Sequence, residues 1–216
     1  MTTQLNPADP APAAVLPDPE QAWLVVIDHQ YIFADPSSPW CAPGFAATVG
    51  PVRDLAEHFA GRVVLTRWLP ARDRTGSWQQ YFDTFTFADQ DDDHELFALV
   101  EAAAAIHASG LTVGHTLDER TFGKYGADLL AITGPNPHLV LVGVSTDCCV
   151  LSTALAAVDD GATVTVVADA CAGSSAENHR TALDVMALYA PQLWVLPTSG
   201  VGRATSGDEP DPGVGH

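Results

Sequence analysis

Short runs of continuous apolar residues constrain this chain more than any other feature. They are WLVVIDH (23–29), RVVLTRW (62–68), HLVLVGV (138–144), ATVTVVADAC (162–171) and LWVLP (193–197). They do not alternate apolar with polar. A strand apolar on both sides must be covered on both faces, which is the situation of a parallel sheet between layers of helix. The intervening segments supply the helices. VRDLAEHFA (52–60), HELFALVEAAAAIHA (94–108), YGADLLAI (125–132), CVLSTALAAVDDG (149–161) and ENHRTALDVMALYA (177–190) have helical spacing, and LTVGHT (111–116) reads as a further short strand. The expected fold is α/β: three layers, αβα, with a mostly parallel, Rossmann-like sheet of about six strands and helices on both faces.

Composition sets the outer limits. The chain has 216 residues, 47% of them hydrophobic, which suits one domain. Residues 1–20 and 199–216, rich in Pro, Asp and Gly, read as flexible arms around a domain spanning 21–198. Nine basic residues against 27 acidic ones give a net charge of −18, which disfavours nucleic acid and anionic membranes as partners. No apolar run approaches the roughly 20 residues of a membrane helix. The N-terminus lacks the basic and apolar regions of a signal peptide, so a cytoplasmic location is expected. The acidic run ADQDDDHE (88–95) reads as a solvated loop leading into a helix.

Ligands of open parallel sheets bind beyond the carboxyl ends of the strands. Cys149 lies at such an end, between a strand and a helix. A helix N-terminus lowers a thiol pKa and offers N–H groups to an oxyanion, which is the minimum for acyl transfer. A small buried core residue is the other reading of the same position. Asp28 ends the first strand, either as a solvated strand end or as a base for a thiol proton. Lys124 is the single lysine of a chain with eight arginines. It is either a stray surface residue or a compact cation that stabilises negative charge. No CxxC spacing occurs among Cys41, Cys148, Cys149 and Cys171, so zinc is not expected and the thiols are expected to be free.

At this point the residues resemble a known family. WLVVIDHQYIFADP is similar to the opening of the isochorismatase-like cysteine hydrolases, with Asp28, Gln30 and Phe33 in the D-x-Q-x-x-F positions. LVLVGVSTDCCVLSTALAAVDDGATVTVVADACAG resembles the family's second signature through Gly143, Val144, Thr146, Asp147, Cys149, Val150, Thr153, Ala154, Asp169 and Ala170. The resemblance covers about residues 22 to 197. It implies a Cys149–Asp28–Lys124 triad that cleaves a C–N bond through a thioester. It also implies a cis Val144–Ser145 peptide, whose turn, including Cys148, aims N–H groups at the oxyanion. Cys148 itself falls on a variable position of the motif.

Two departures from the pattern matter. The family lysine precedes an aromatic-rich stretch that here reads ERTFGKYG, so strict register puts Glu119 where the lysine belongs and Lys124 five residues later. Either Lys124 reaches the site from the next turn, or the triad is altered, with Arg120 or no cation in its place. A thiolate beside two carboxylates needs a cation, which favours Lys124. The nicotinamidases of the family hold a divalent ion through histidines after the second strand. TRWLPARDRTGSW contains none, so no metal or other cofactor is expected. Phe33, Arg67, Trp68 and Trp78 are the candidate substrate-binding residues, Arg67 as a clamp for a carboxylate.

The resemblance thus implies a metal-independent amidohydrolase acting on a small molecule and assembled as a homodimer or homotetramer, with FDTFTF (82–87) as a possible interface. The alternatives are vinyl-ether hydrolysis of the isochorismatase type, against which Cys149 argues, and a degenerate small-molecule binder, which Glu119 would signal.

Overall fold

The computed structural model describes residues 15–200 except His115. The expected arms therefore lie mostly outside the described residues. Leu16, inside the expected N-terminal arm, is buried in the core.

Six strands form one sheet: β1 (Trp23–Ile27), β2 (Val63–Trp68), β3 (Leu117–Glu119), β4 (His138–Val144), β5 (Thr163–Ala172) and β6 (Leu193–Leu196). Their order is β3-β2-β1-β4-β5-β6, and every pairing is parallel. Among the described residues seven α-helices accompany them: α1 (Tyr31–Ala34), α2 (Phe45–His58), α3 (Trp78–Thr84), α4 (Glu101–Ala108), α5 (Ala127–Thr133), α6 (Leu151–Asp159) and α7 (Ala176–Ala187).

The continuous apolar runs are explained by two separate cores. Val25 and Ile27 of β1 face one side, where they join Leu129 of α5, Ala154 and Ala157 of α6, and Met186 of α7. Leu24 and Val26 face the other, with Val52 and Leu55 of α2 and Ile106 of α4. Successive residues of one strand serve opposite layers, so every position must be apolar. A third cluster, containing Ile32, Phe33, Trp68, Phe82 and Phe97, caps the carboxyl ends of the strands.

Some boundaries differ from the sequence reading. LTVGHT contributes only a bridge at Thr112, and the third strand is Leu117–Glu119. The helix expected over 94–108 splits into a 3-10 turn, Glu95–Phe97, and α4. The phenylalanines of FDTFTF pack inward, while Asp83, Thr84 and Thr86 are exposed. Phe82 is buried, and Phe85 and Phe87 lie edge-on to Trp40 at 5.4 and 4.9 Å between ring centroids.

The sheet order reverses between β1 and β4, the crevice where open α/β sheets place their ligands. These two strands approach unusually closely. A Cβ on Gly143 would lie 2.1 Å from the Ile27 carbonyl oxygen, and the residue's φ of +109° is one that glycine alone adopts easily. That contact brings the residues after β1 and after β4 to the same place.

Candidate active site

Asp28 follows β1 with a φ of 53° and is fully buried. Asp tolerates this left-handed conformation better than most residues. Thr66 of β2 holds it at two points: its hydroxyl donates to Asp28 Oδ1 at 2.8 Å and accepts from the Asp28 N–H at 3.2 Å. The other oxygen, Oδ2, lies 3.0 Å from Lys124 Nζ, yet no well-aligned hydrogen bond reaches it. Gln30 braces the adjoining end of β2, accepting from the Trp68 N–H at 2.8 Å and donating to the Trp68 and Phe97 carbonyls.

Lys124 is no surface lysine. Its side chain is fully buried, and its ammonium also donates to the Thr121 carbonyl at 3.1 Å. The lysine therefore reaches Asp28 from five residues beyond the family register. Glu119, at that register, ends β3. Burial raises the Glu119 pKa, while the Lys124 charge acts the other way. Arg120 points elsewhere, donating to the Pro70 carbonyl and pairing with Asp92.

Cys149 belongs to a π-helical turn, Thr146–Val150, between β4 and α6. Such wide turns concentrate at functional sites. The Val144–Ser145 peptide before it is cis. The Cys148 and Val150 N–H groups both donate to the Ser145 carbonyl, at 3.0 and 3.1 Å. Thr153, one turn into α6, joins the two halves of the site. Its hydroxyl accepts from the Lys124 N–H at 2.9 Å and donates to the Cys149 carbonyl at 2.6 Å.

The thiol itself departs from expectation. The sequence reading has the helix N-terminus lowering the Cys149 pKa, whereas the structure pushes it well up. The causes are the hydrogen bond to Cys148, complete burial and the nearby Asp28 carboxylate, opposed by Lys124. Cys148 is held below the usual thiol range by the hydrogen bond from Cys149, with burial opposing. The helix proper starts only at Leu151, so Cys149 does not occupy its first turn. Cys149 consequently rests as a thiol, and a base is needed to ionise it during attack.

In front of the cysteines lies a cavity of about 180 Å³. It is lined by Phe33, Trp40, Trp68, Tyr81 and Phe122, together with the polar edge of Ser145, Asp147, Cys148, Cys149 and Ser174. Of the expected substrate-binding residues, Phe33 and Trp68 line it. Arg67 and Trp78 do not. Arg67 donates to both oxygens of Asp118, and Trp78 packs on Phe122, Tyr81 and Phe82. Trp40, in the loop after α1, and Tyr81, in α3, carry no motif that singles them out in the sequence, whereas Phe122 belongs to the aromatic stretch ERTFGKYG. Among the described residues, no group of three or more His, Cys, Asp or Glu is placed to hold a metal ion, and no helix is long and apolar enough to cross a membrane.

Comparison with known proteins agrees with this architecture. The isochorismatase domain family model matches residues 22–198. The fold is similar to that of a cysteine hydrolase from Pseudomonas syringae pv. phaseolicola, at 17% identity and a TM-score of 0.66, covering 89% of this chain and 95% of that one. It is also similar to a pyrazinamidase/nicotinamidase from Streptococcus mutans, at 22% identity and 0.63, covering 81% and 99%. A third similar structure is N-carbamoylsarcosine amidase from Thermoplasma acidophilum, at 20% identity and 0.60, covering 82% and 96%. No curated protein matches the sequence.

Proposed function

The chain belongs to the isochorismatase family of hydrolases, and on that premise we propose that it cleaves the amide-type C–N bond of a small molecule with Cys149 as nucleophile. The observation that carries this reading is the buried Asp28–Lys124 pair, 3.0 Å apart, with Asp28 Oδ2 free of any other partner. A carboxylate left with one open oxygen, close enough to shift the Cys149 thiol, is poised to accept that thiol's proton.

The chemistry balances as follows. Asp28 takes the Cys149 proton as sulfur bonds to the carbonyl carbon, and the carbonyl oxygen becomes an oxyanion. The Cys148 and Val150 amides are already engaged, so the oxyanion falls to other N–H groups of the 145–149 turn. Collapse breaks the C–N bond, and the proton on Asp28 leaves with the nitrogen as ammonia or an amine. Water then adds to the thioester, giving one proton to Asp28. Release of the acid returns that proton to sulfur. Lys124, 3.0 Å from Asp28, supplies the positive charge that faces the carboxylate throughout.

A low-pKa thiol is not required by this scheme. Burial holds the proton on sulfur until a substrate is present, and transfer to Asp28 accompanies attack. Lys124 beside Asp28 also supplies the cation that Glu119 cannot, which weakens the degenerate reading. Ammonia release from a panel of primary amides tests the proposal. Turnover that disappears in Asp28→Asn supports it, and turnover undiminished in that variant contradicts it.

A further inference from the structure

The lining of the cavity carries a charge signature that the reaction alone does not require. Five aromatic rings, Phe33, Trp40, Trp68, Tyr81 and Phe122, form most of the wall. Trp40 is their hub, with ring centroids 5.3 Å from Trp68, 5.9 Å from Tyr81 and 6.3 Å from Phe33. No lysine, arginine or histidine is among the lining residues. The arginines of β2 and the neighbouring loops are already committed to carboxylates: Arg67 to Asp118, Arg72 and Arg120 to Asp92, and Arg74 to Asp89. Lys124 is matched by Asp28.

The charge that remains in the wall is Asp147. Its carboxylate accepts from the Ser174 N–H at 2.8 Å and from the Ser174 hydroxyl at 2.6 Å, both neutral donors. Among the described residues it enters no ion pair. Gly173 is packed so closely that a Cβ there would lie 2.7 Å from Asp147 Oδ1, which fixes the carboxylate in place. His179 lies near it, its ring hydrogen-bonded to the Thr146 hydroxyl at 2.8 Å, and burial lowers its pKa while Asp147 acts the other way.

A cavity walled by aromatic faces and one unpaired carboxylate suits a cation. Ring quadrupoles attract ammonium groups, and the attraction grows when the site is dry. A carboxylate-bearing substrate finds no cation here and meets Asp147 instead. We propose that the substrate is an amide whose acyl part carries a positive charge, an ammonium or quaternary ammonium group, seated between Trp40 and Asp147. A cavity of about 180 Å³ suits a small acyl part. The inference rests on the amidohydrolase reading for the scissile bond, and on the cavity wall for the charge.

The test uses amides of matched shape: trimethylammonioacetamide, the isosteric neutral tert-butylacetamide, and anionic succinamate. Ammonia release by the wild type gives relative kcat/KM. Tryptophan fluorescence titration of Cys149→Ser with the same amides gives binding without turnover. The expected result is a preference of roughly tenfold or more for the cation over its neutral isostere, reduced in Trp40→Leu and in Asp147→Asn. Cation-selective binding with no ammonia release from any of the amides leaves this inference standing and removes the hydrolytic reading. Turnover of tert-butylacetamide or succinamate at least as good as that of the cation keeps hydrolysis and overturns the inference. Absence of saturable cation binding overturns it as well.

Discussion

Lys124 shows how one residue changes position in the chain without leaving the site. Sequence register alone assigns Glu119 to the lysine's place, and only the folded loop brings the Lys124 ammonium to 3.0 Å from Asp28. The signal was its uniqueness, since this is the single lysine among nine basic residues. Breaking one member of a buried ion pair leaves an uncompensated charge and costs about 3–5 kcal/mol. Lys124→Met should therefore lower the urea midpoint by a corresponding amount with an unchanged m-value, and should abolish turnover. Adding Asp28→Asn removes the orphaned charge, so the double variant should regain most of the lost stability and none of the activity. A double variant no more stable than Lys124→Met would mean that the pair is not coupled as described.

At the scale of elements, α6 is both a scaffold and a bridge. Its Thr153 hydroxyl ties the Lys124 backbone to the Cys149 carbonyl. Thr153→Val leaves the Lys124 N–H unsatisfied in a buried position, at a cost of about 1–3 kcal/mol. Its effect on catalysis should be a fall in kcat with little change in KM, because neither bond touches the cavity. Thr153→Ser, which keeps the hydroxyl, should restore kcat, and failure of that rescue would reduce Thr153 to a packing role. Five of the six strands were legible in the sequence because burial on both faces keeps them largely apolar, whereas β3, Leu117–Glu119, is short and polar and was not. The Cys149 turn was legible as a strand–helix junction, but its π geometry was not, and the direction of the thiol pKa came out reversed because the hydrogen bond to Cys148, complete burial and the Asp28 carboxylate raise it. Thr66 gave no signal as a hydrogen-bonding group for Asp28, nor Thr153 for Lys124, since these partners are distant in sequence. The aromatic wall was only partly visible: Phe33, Trp68 and Phe122 sit in or beside motifs, whereas Trp40 sits in a loop and Tyr81 in the short helix α3 with no signal to mark them.

For the molecule as a whole, the least obvious contribution to stability comes from the residue next to Asp28. His29 is turned to the other face of the sheet, buried against Phe45, 3.3 Å from the Thr48 hydroxyl. Burial lowers its pKa from 6.5 to about 4. Between these values the unfolded chain binds the proton and the folded chain does not, so stability rises with pH. This contribution is fully present above about pH 6.5 and declines as the pH falls towards 4, by about 3 kcal/mol. Urea midpoints between pH 7 and pH 4 should fall more steeply for the wild type than for His29→Gln. Parallel slopes would contradict the burial of a neutral imidazole. The strong negative charge, −18, adds its own repulsion at high pH in both proteins and cancels in the comparison.

Two adjacent thiols face the cavity, and the account assigns the chemistry to one of them. The most direct test is ammonia release by Cys148→Ser and Cys149→Ser, measured side by side on the best amide of the panel, with intact-protein mass spectrometry to trap the acyl adduct. The account predicts that Cys149→Ser loses at least ~10³-fold in kcat and carries no adduct. Cys148→Ser should keep most of its turnover, with the acyl group mapped to Cys149. Loss of turnover in Cys148→Ser with retention in Cys149→Ser, or an adduct on Cys148, would contradict it.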